Sequence, residues 1–241
     1  CSATDTAKIA NTSATAASTG SDLNGKAAQD AARQIRERLA VHVAVQWGVA
    51  PEAVRFASGQ VSGPAGQRMA FTDLVSQAYV ARVQLWSDGF YATPGLHWDR
   101  NTLTGRPFYY FAYGAALCEV LLDTLTGEWK LQRTDLLHDA GRSLNPAIDI
   151  GQVEGAFIQG MGWLTMEELV WHPDDGSAKA GLLTTHAPST YKIPTANDCP
   201  PVFNVRLFEG RNAEDAIHRS KAVGEPPLLL PFSVFYAIRD A

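Results

Sequence analysis

Three places in the chain combine residue types and spacings that can do chemistry. In Ser220-Lys221-Ala222-Val223-Gly224-Glu225-Pro226-Pro227, a carboxylate stands between a glycine and two prolines, just ahead of an apolar segment. A residue before proline is pushed toward extended backbone, and proline suits the first turn of a helix, so Glu225 has a rigid frame. A carboxylate held against apolar surroundings has its pKa raised by desolvation, which suits a general base. The same spacing fits equally a first-turn glutamate that only favours the helix dipole.

The second place is the loop 15–21, built of Ala, Ser, Thr and Gly and followed by a helical pattern from Asp22. Small side chains let a ligand reach the backbone N–H groups, and a helix N-terminus behind them adds unpaired donors and partial positive charge. Ser18, Thr19 and Ser21 can add hydroxyl contacts, while Asp22 opposes an anion placed close to it. On composition, a solvated loop with an N-cap at Ser21-Asp22 is the plainer reading. The third place is Gln152, early in a helix that carries Gly151, Gly155, Gly160 and Gly162. Its amide can address a polar ligand. A surface glutamine on a helix whose glycines serve close packing fits as well.

Other constellations are excluded. The histidines at 42, 97, 138, 172, 186 and 218 show no metal-ligand spacing, and Cys1, Cys118 and Cys199 form no CxxC or CxxH pair. No GxGxxG, phosphate-loop or GxSxG pattern is present. Cys118 reads as a small apolar residue in a strand. Tyr109, Phe111 and Tyr113 alternate as one strand face does and are expected in the core.

The elements that must position these residues follow from periodicity. Leu23, Ala27, Ala31, Ile35 and Leu39 recur at helical spacing, predicting a helix from Asp22 to about His42. A short strand is expected over 54–61 and a small helix from Thr72. Residues 107–123 and 128–137 flank Thr124-Leu125-Thr126-Gly127 and predict a hairpin. Asn145-Pro146 opens a helix over 148–169; residues 172–187 form a polar excursion turning at Asp174-Asp175-Gly176; 202–208 is a strand. The final segment becomes a helix through Phe232 and Ile238. Strands and helices without regular βαβ alternation give an α+β class, with mixed sheets and packed helices.

The 241 residues are 46% hydrophobic and 19% charged, enough to bury a core rather than stay disordered. A net charge of -5 with scattered basic residues offers no nucleic-acid footprint. No apolar run is long enough to span a bilayer, no signal-peptide pattern opens the chain, and the odd cysteine count fits a reducing, cytoplasmic setting. Cys1 stands where a Met would begin a chain, and Asp240-Ala241 closes it inside a helical pattern. The expectation is a single domain segment over 1–241, incomplete at both ends.

Taken together, several stretches resemble the xanthine dehydrogenase/aldehyde oxidase family of molybdenum hydroxylases. They are Ser13-Ala14-Thr15-Ala16-Ala17-Ser18, the run from Ser143 to Ala156 (SLNPAIDIGQVEGA), Pro188-Ser189-Thr190-Tyr191-Lys192-Ile193-Pro194, and Lys221-Ala222-Val223-Gly224-Glu225-Pro226-Pro227. They occur in the family's order and reach from near the first residue to near the last.

The resemblance implies the C-terminal part of a molybdopterin-binding subunit. It implies that a pterin dithiolene holds the molybdenum, so no protein thiolate is needed. Ala16, Ala17, Ser18, Thr19, Ser21, Gln152, Lys221 and Gly224 would contact the cofactor, with the Ala17 backbone close to the metal but not a side-chain ligand. Glu225 would be the base that deprotonates a molybdenum-bound hydroxyl, in the hydroxylation of hypoxanthine to xanthine and urate with oxygen from water. Electrons would leave through 2Fe-2S clusters and FAD to NAD, on partner regions. The implied partners are an Fe–S/FAD subunit or domain, the rest of the molybdenum-binding subunit and the purine substrate, in a dimer of heterodimers. The family's substrate-orienting residues belong to segments upstream of residue 1, so an aldehyde or other N-heterocycle substrate stays open. A non-catalytic cofactor-binding or assembly module is the rival of another class. The long 172–187 excursion resembles bacterial, separately encoded subunits.

Overall fold

The computed structural model describes Asp5 and residues 15–241. The Ser13-Ala14 part of the first resemblance stretch, and Cys1, lie outside the described residues. The chain divides into two compact units, one holding Gly20–Pro94 and one holding residues 15–19 with Gly95–Ala241.

In the first unit, α1 (Gly20–Trp47) runs further at both ends than its periodicity predicts. Ser21 and Asp22 therefore lie inside the first turn, not at the cap; the helix begins earlier because the segment before Gly20 is already turning, with the Thr19 N–H bonded to Ala16 O. The core forms where Leu39, Ala40, Val43 and Ala44 meet Val54, Val61, Leu74 and Ala78. The expected strand over 54–61 is instead a tight hairpin of β1 (Arg55–Ala57) and β2 (Gln60–Ser62), and β3 (Arg68–Ala70) pairs with β2 ahead of α2 (Phe71–Val80). Ser58 and Gly59, both at positive φ, reverse the chain.

The second unit is built on a three-stranded sheet in the order β6-β7-β8. The predicted hairpin is present as β6 (Gly114–Leu122) and β7 (Trp129–His138). A register shift opposite Glu119 and Val120 moves the inward set of β7 from Trp129 and Leu131 to Thr134, Leu136 and His138. β8 (Val202–Leu207) pairs with β7 in parallel, so α3 (Pro146–Thr165) lies in a β7-α3-β8 crossover, a βαβ unit the sequence pattern did not reveal. Val153, Phe157 and Met161 of α3, with Val234 of α4 (Phe232–Asp240), bury one sheet face against Leu131, Leu136 and Val205. A small hairpin of β4 (His97–Asp99) and β5 (Thr104–Arg106) precedes the sheet. Helices beside mixed parallel and antiparallel strands make the fold α+β, as expected.

Residues 107–113 do not extend the sheet. Phe111 is 57% and Tyr113 68% exposed, so the expected aromatic core face is absent. Alternation is a weak guide where the backbone is irregular. The rings stack on each other, Phe108 edge-on to Phe111 at 5.8 Å, and Tyr113 receives the Lys221 ammonium at 5.5 Å. The 172–187 excursion is held by a bridge between Trp171 and Leu183, with Gly176 at its turn.

Candidate cofactor site

The Glu225 segment, the start of α3 and the loop before α1 meet at one point of the second unit. The Ser18 backbone N–H donates to Glu225 Oε1 at 3.2 Å. A Cβ added to Gly224 would stand 2.7 Å from Ser18 Oγ and 3.1 Å from Gln152 Oε1. Ser18, Gln152, Gly224 and Glu225 are thus neighbours although 134 and 72 residues separate their segments (152 − 18 and 224 − 152).

Local backbone chemistry explains the loop. Ala17 and Ser18 both take left-handed backbone, with φ of 54° and 55°. Neither is a glycine, so each costs on the order of 1 kcal/mol, and such strain concentrates where a binding geometry is imposed. Thr19 ties the turn down, its hydroxyl donating to Ala16 O at 2.9 Å. Nothing in an Ala-Ala-Ser sequence signals this conformation. Ala16 and Ala17 are exposed, and Ser21 belongs to the other unit, exposed in the first turn of α1.

α3 starts at a side-chain cap, the Asn145 carbonyl accepting from the Ile148 N–H at 3.5 Å, with Pro146 in the first turn. Its glycines divide into two kinds. Cβ atoms at Gly160 and Gly162 would strike Leu228 O and Pro194 at 2.6 and 2.3 Å, so these positions serve close packing. Gly151 and Gly155, one turn apart and flanking Gln152, face open space. Glu225 and Gln152 are both exposed, so the apolar enclosure expected around Glu225 is not supplied by these residues. In the Pro226–Leu229 turn that follows, the buried residue is Pro227, while Glu225 just before it is exposed.

Lys221 is placed differently from its neighbours. Its ammonium donates to Phe111 O at 2.9 Å and pairs with Asp139 at 2.5 Å, and the two side chains are only 9% and 17% exposed. A recess of about 710 Å³ lies at the far end of the β6–β7 hairpin, around Asp123, Trp129 and Met166, away from this group. Among the described residues no cluster of His, Cys, Asp and Glu could grip a metal.

Residues 1–200 match the molybdopterin cofactor-binding domain family. The chain belongs to that family. Along its full length it is 45% identical to the xanthine dehydrogenase of Oryza sativa subsp. japonica and 47% to that of Dictyostelium discoideum. The chain covers 16% of either relative's length. Its fold is that of quinoline 2-oxidoreductase from Pseudomonas putida 86 (TM-score 0.76, 24% identity, 94% of this chain and 28% of that one). It is also that of the Cu,Mo-CO dehydrogenase (TM-score 0.73, 19% identity, 94% and 27%). The resemblance read from the motifs is borne out at the level of the family.

The residues present fit the family's cofactor. A molybdopterin brings its own sulfur ligands to the metal, and what it asks of protein is hydrogen-bond donors and bare backbone. The exposed Ala16-Ala17 turn, the Gly224 cradle and the open Gly151-Gly155 face beside Gln152 supply both.

Proposed function

We propose that this chain is the cofactor-contacting, base-bearing segment of a molybdenum hydroxylase that converts hypoxanthine to xanthine and urate. The observation that supports it is the convergence of Ser18, Gln152, Gly224 and Glu225, all singled out by the motifs, at contact distance. The bound cofactor supplies a two-electron acceptor beside which a water-derived oxygen is transferred to an electron-poor ring carbon. Glu225 receives the proton of that oxygen; one carboxylate oxygen is steadied by the Ser18 N–H, and a carboxylate has a second to take the proton. The Ser18 and Thr19 hydroxyls and the Gln152 amide hydrogen-bond the cofactor, while Ala16, Ala17 and Gly224 leave it room. Substrate orientation comes from the rest of the molybdenum-binding subunit. A region or subunit with 2Fe-2S clusters and FAD carries electrons to NAD, in a cytoplasmic dimer of heterodimers. Exposed Leu117 and Leu121 on β6, each 63% exposed, support burial of that sheet face against the remainder of the protein.

The deciding experiment is xanthine turnover per bound molybdenum in the complete protein, wild type against Glu225→Gln. Turnover should fall at least ~10³-fold at unchanged molybdenum content, the loss of a positioned base plus its charge. Unchanged turnover removes Glu225 as base. A wild type that binds molybdenum but oxidises aldehydes or other heterocycles in place of xanthine moves the substrate to that branch.

A further inference from the structure

The Glu225 segment enters the site under strain and is held by contacts no motif singled out. His218 and Arg219 both have positive φ, 48° and 64°. From there the chain is pinned residue by residue. Ser220 bridges to Gly141 and its carbonyl accepts from Asn212 Nδ2 at 3.0 Å. The Lys221 N–H donates to Ala140 O at 2.9 Å, and the Ala222 N–H to the Tyr110 hydroxyl at 2.7 Å. The Lys221 ammonium reaches across to Asp139 and to Phe111 O, and lies over the Tyr113 ring. Asp139 is itself oriented, accepting from the Gly141 N–H at 2.8 Å. Gly141 is confined to glycine, since at φ +61° a Cβ would meet Arg219 O at 2.7 Å.

We infer that Asp139, Lys221 and Tyr110 form a positioning clamp that fixes the height of Gly224-Glu225 against Ser18 and Gln152. Lys221 acts through this clamp and not by touching the cofactor. The inference rests on Glu225 being the base. A low-exposure ion pair with a further carbonyl acceptor is a stiff joint, because breaking it strands a charge away from water. Glu225 lies four residues beyond Lys221, with the backbone bond at Ala222 and the Pro226-Pro227 turn limiting the freedom between. Displacing a base by about 1 Å can cost ~100-fold in rate, so the clamp's effect belongs in kcat.

The test uses the complete, cofactor-loaded protein with Lys221→Met, Asp139→Asn, Tyr110→Phe and the conservative Lys221→Arg. Expected are a ~10- to 100-fold fall in kcat, KM within about twofold and full molybdenum content. Amide exchange in the peptide spanning residues 219–225 should quicken about tenfold or more, also in cofactor-free protein. Lys221→Arg should recover part of kcat, and the double variant Lys221→Met/Asp139→Asn should lose little more than either single one. Tyr110→Phe removes one hydroxyl and keeps the test open should a charge variant fail to fold. Molybdenum lost in proportion to activity would overturn the clamp and make Lys221 a cofactor contact. Unchanged exchange and kcat would overturn it as well. Faster exchange with unchanged kcat would overturn the clamp as a device that positions the base. Glu225→Gln measured alongside separates the two readings, since a live variant removes Glu225 as base and a dead one with silent clamp variants removes only the clamp.

Discussion

At the scale of single residues, the site is a matter of a few ångströms around Gly224. A methyl group there has nowhere to go: Ser18 Oγ is 2.7 Å away and Gln152 Oε1 3.1 Å. Both obstacles are side-chain atoms that can yield, so Gly224→Ala should fold and should push Ser18 and Gln152 from their places. We expect its kcat to fall by ~10- to 100-fold with partial loss of molybdenum, read by kinetics and metal analysis on one preparation. Full loading with normal kinetics would mean that Gln152 and Ser18 do not contact the cofactor. The carboxylate was legible in the sequence from its Gly-Glu-Pro-Pro frame. The left-handed Ala17-Ser18 turn that brings an N–H to it was not, because alanine and serine carry no preference for that conformation.

At the scale of elements, α3 explains why one helix carries so many glycines. Gly160→Ala drives a methyl into Leu228 O at 2.6 Å, a backbone obstacle, and should destabilise by about 1–3 kcal/mol. Gly151→Ala meets nothing within 4 Å and should stabilise the cofactor-free helix by up to about 1 kcal/mol. If the cofactor lies along that face, the same methyl should reduce molybdenum loading. Amide exchange of α3 and metal content in the complete protein separate the cases, and unchanged loading would move the cofactor off this face. The sequence showed the surplus of glycine but not its division, since which glycines meet Leu228 and Pro194 depends on how distant segments pack.

At the scale of the whole molecule, the second unit buries His138 at 1% exposure, and among the described residues neither ring nitrogen has a hydrogen-bond partner. Burial pushes its pKa below the ordinary 6.5; the Lys221 charge lowers it further, and Asp139 and Asp149 pull it back up. The unfolded imidazole therefore binds protons over a window in which the folded one does not. The contribution to stability is complete above pH 6.5 and is lost as pH falls through the folded value. Exchange protection of the Trp129–His138 strand, corrected for the intrinsic pH effect, should weaken between pH 7 and 5. It should do so less in His138→Leu, and equal pH dependence in both would assign the effect elsewhere.

The sequence by itself determined the family, the hairpin, the long helices and the Gly-Glu-Pro-Pro frame of Glu225, because each rests on local information: period, turn residues, caps and a contiguous motif. Only the tertiary structure decided the rest. The parallel pairing of β8 with β7 joins strands more than sixty residues apart, and no local pattern encodes such a partner. The β7 register shift changes which residues face the core. Tyr113 reads as a core residue by alternation, yet it lies exposed beneath the Lys221 ammonium. Asp139 and Tyr110, unremarkable in the chain, reach the Glu225 segment only because the end of β7 and the 107–113 segment fold against it, and contacts of that sequence separation are fixed by packing alone.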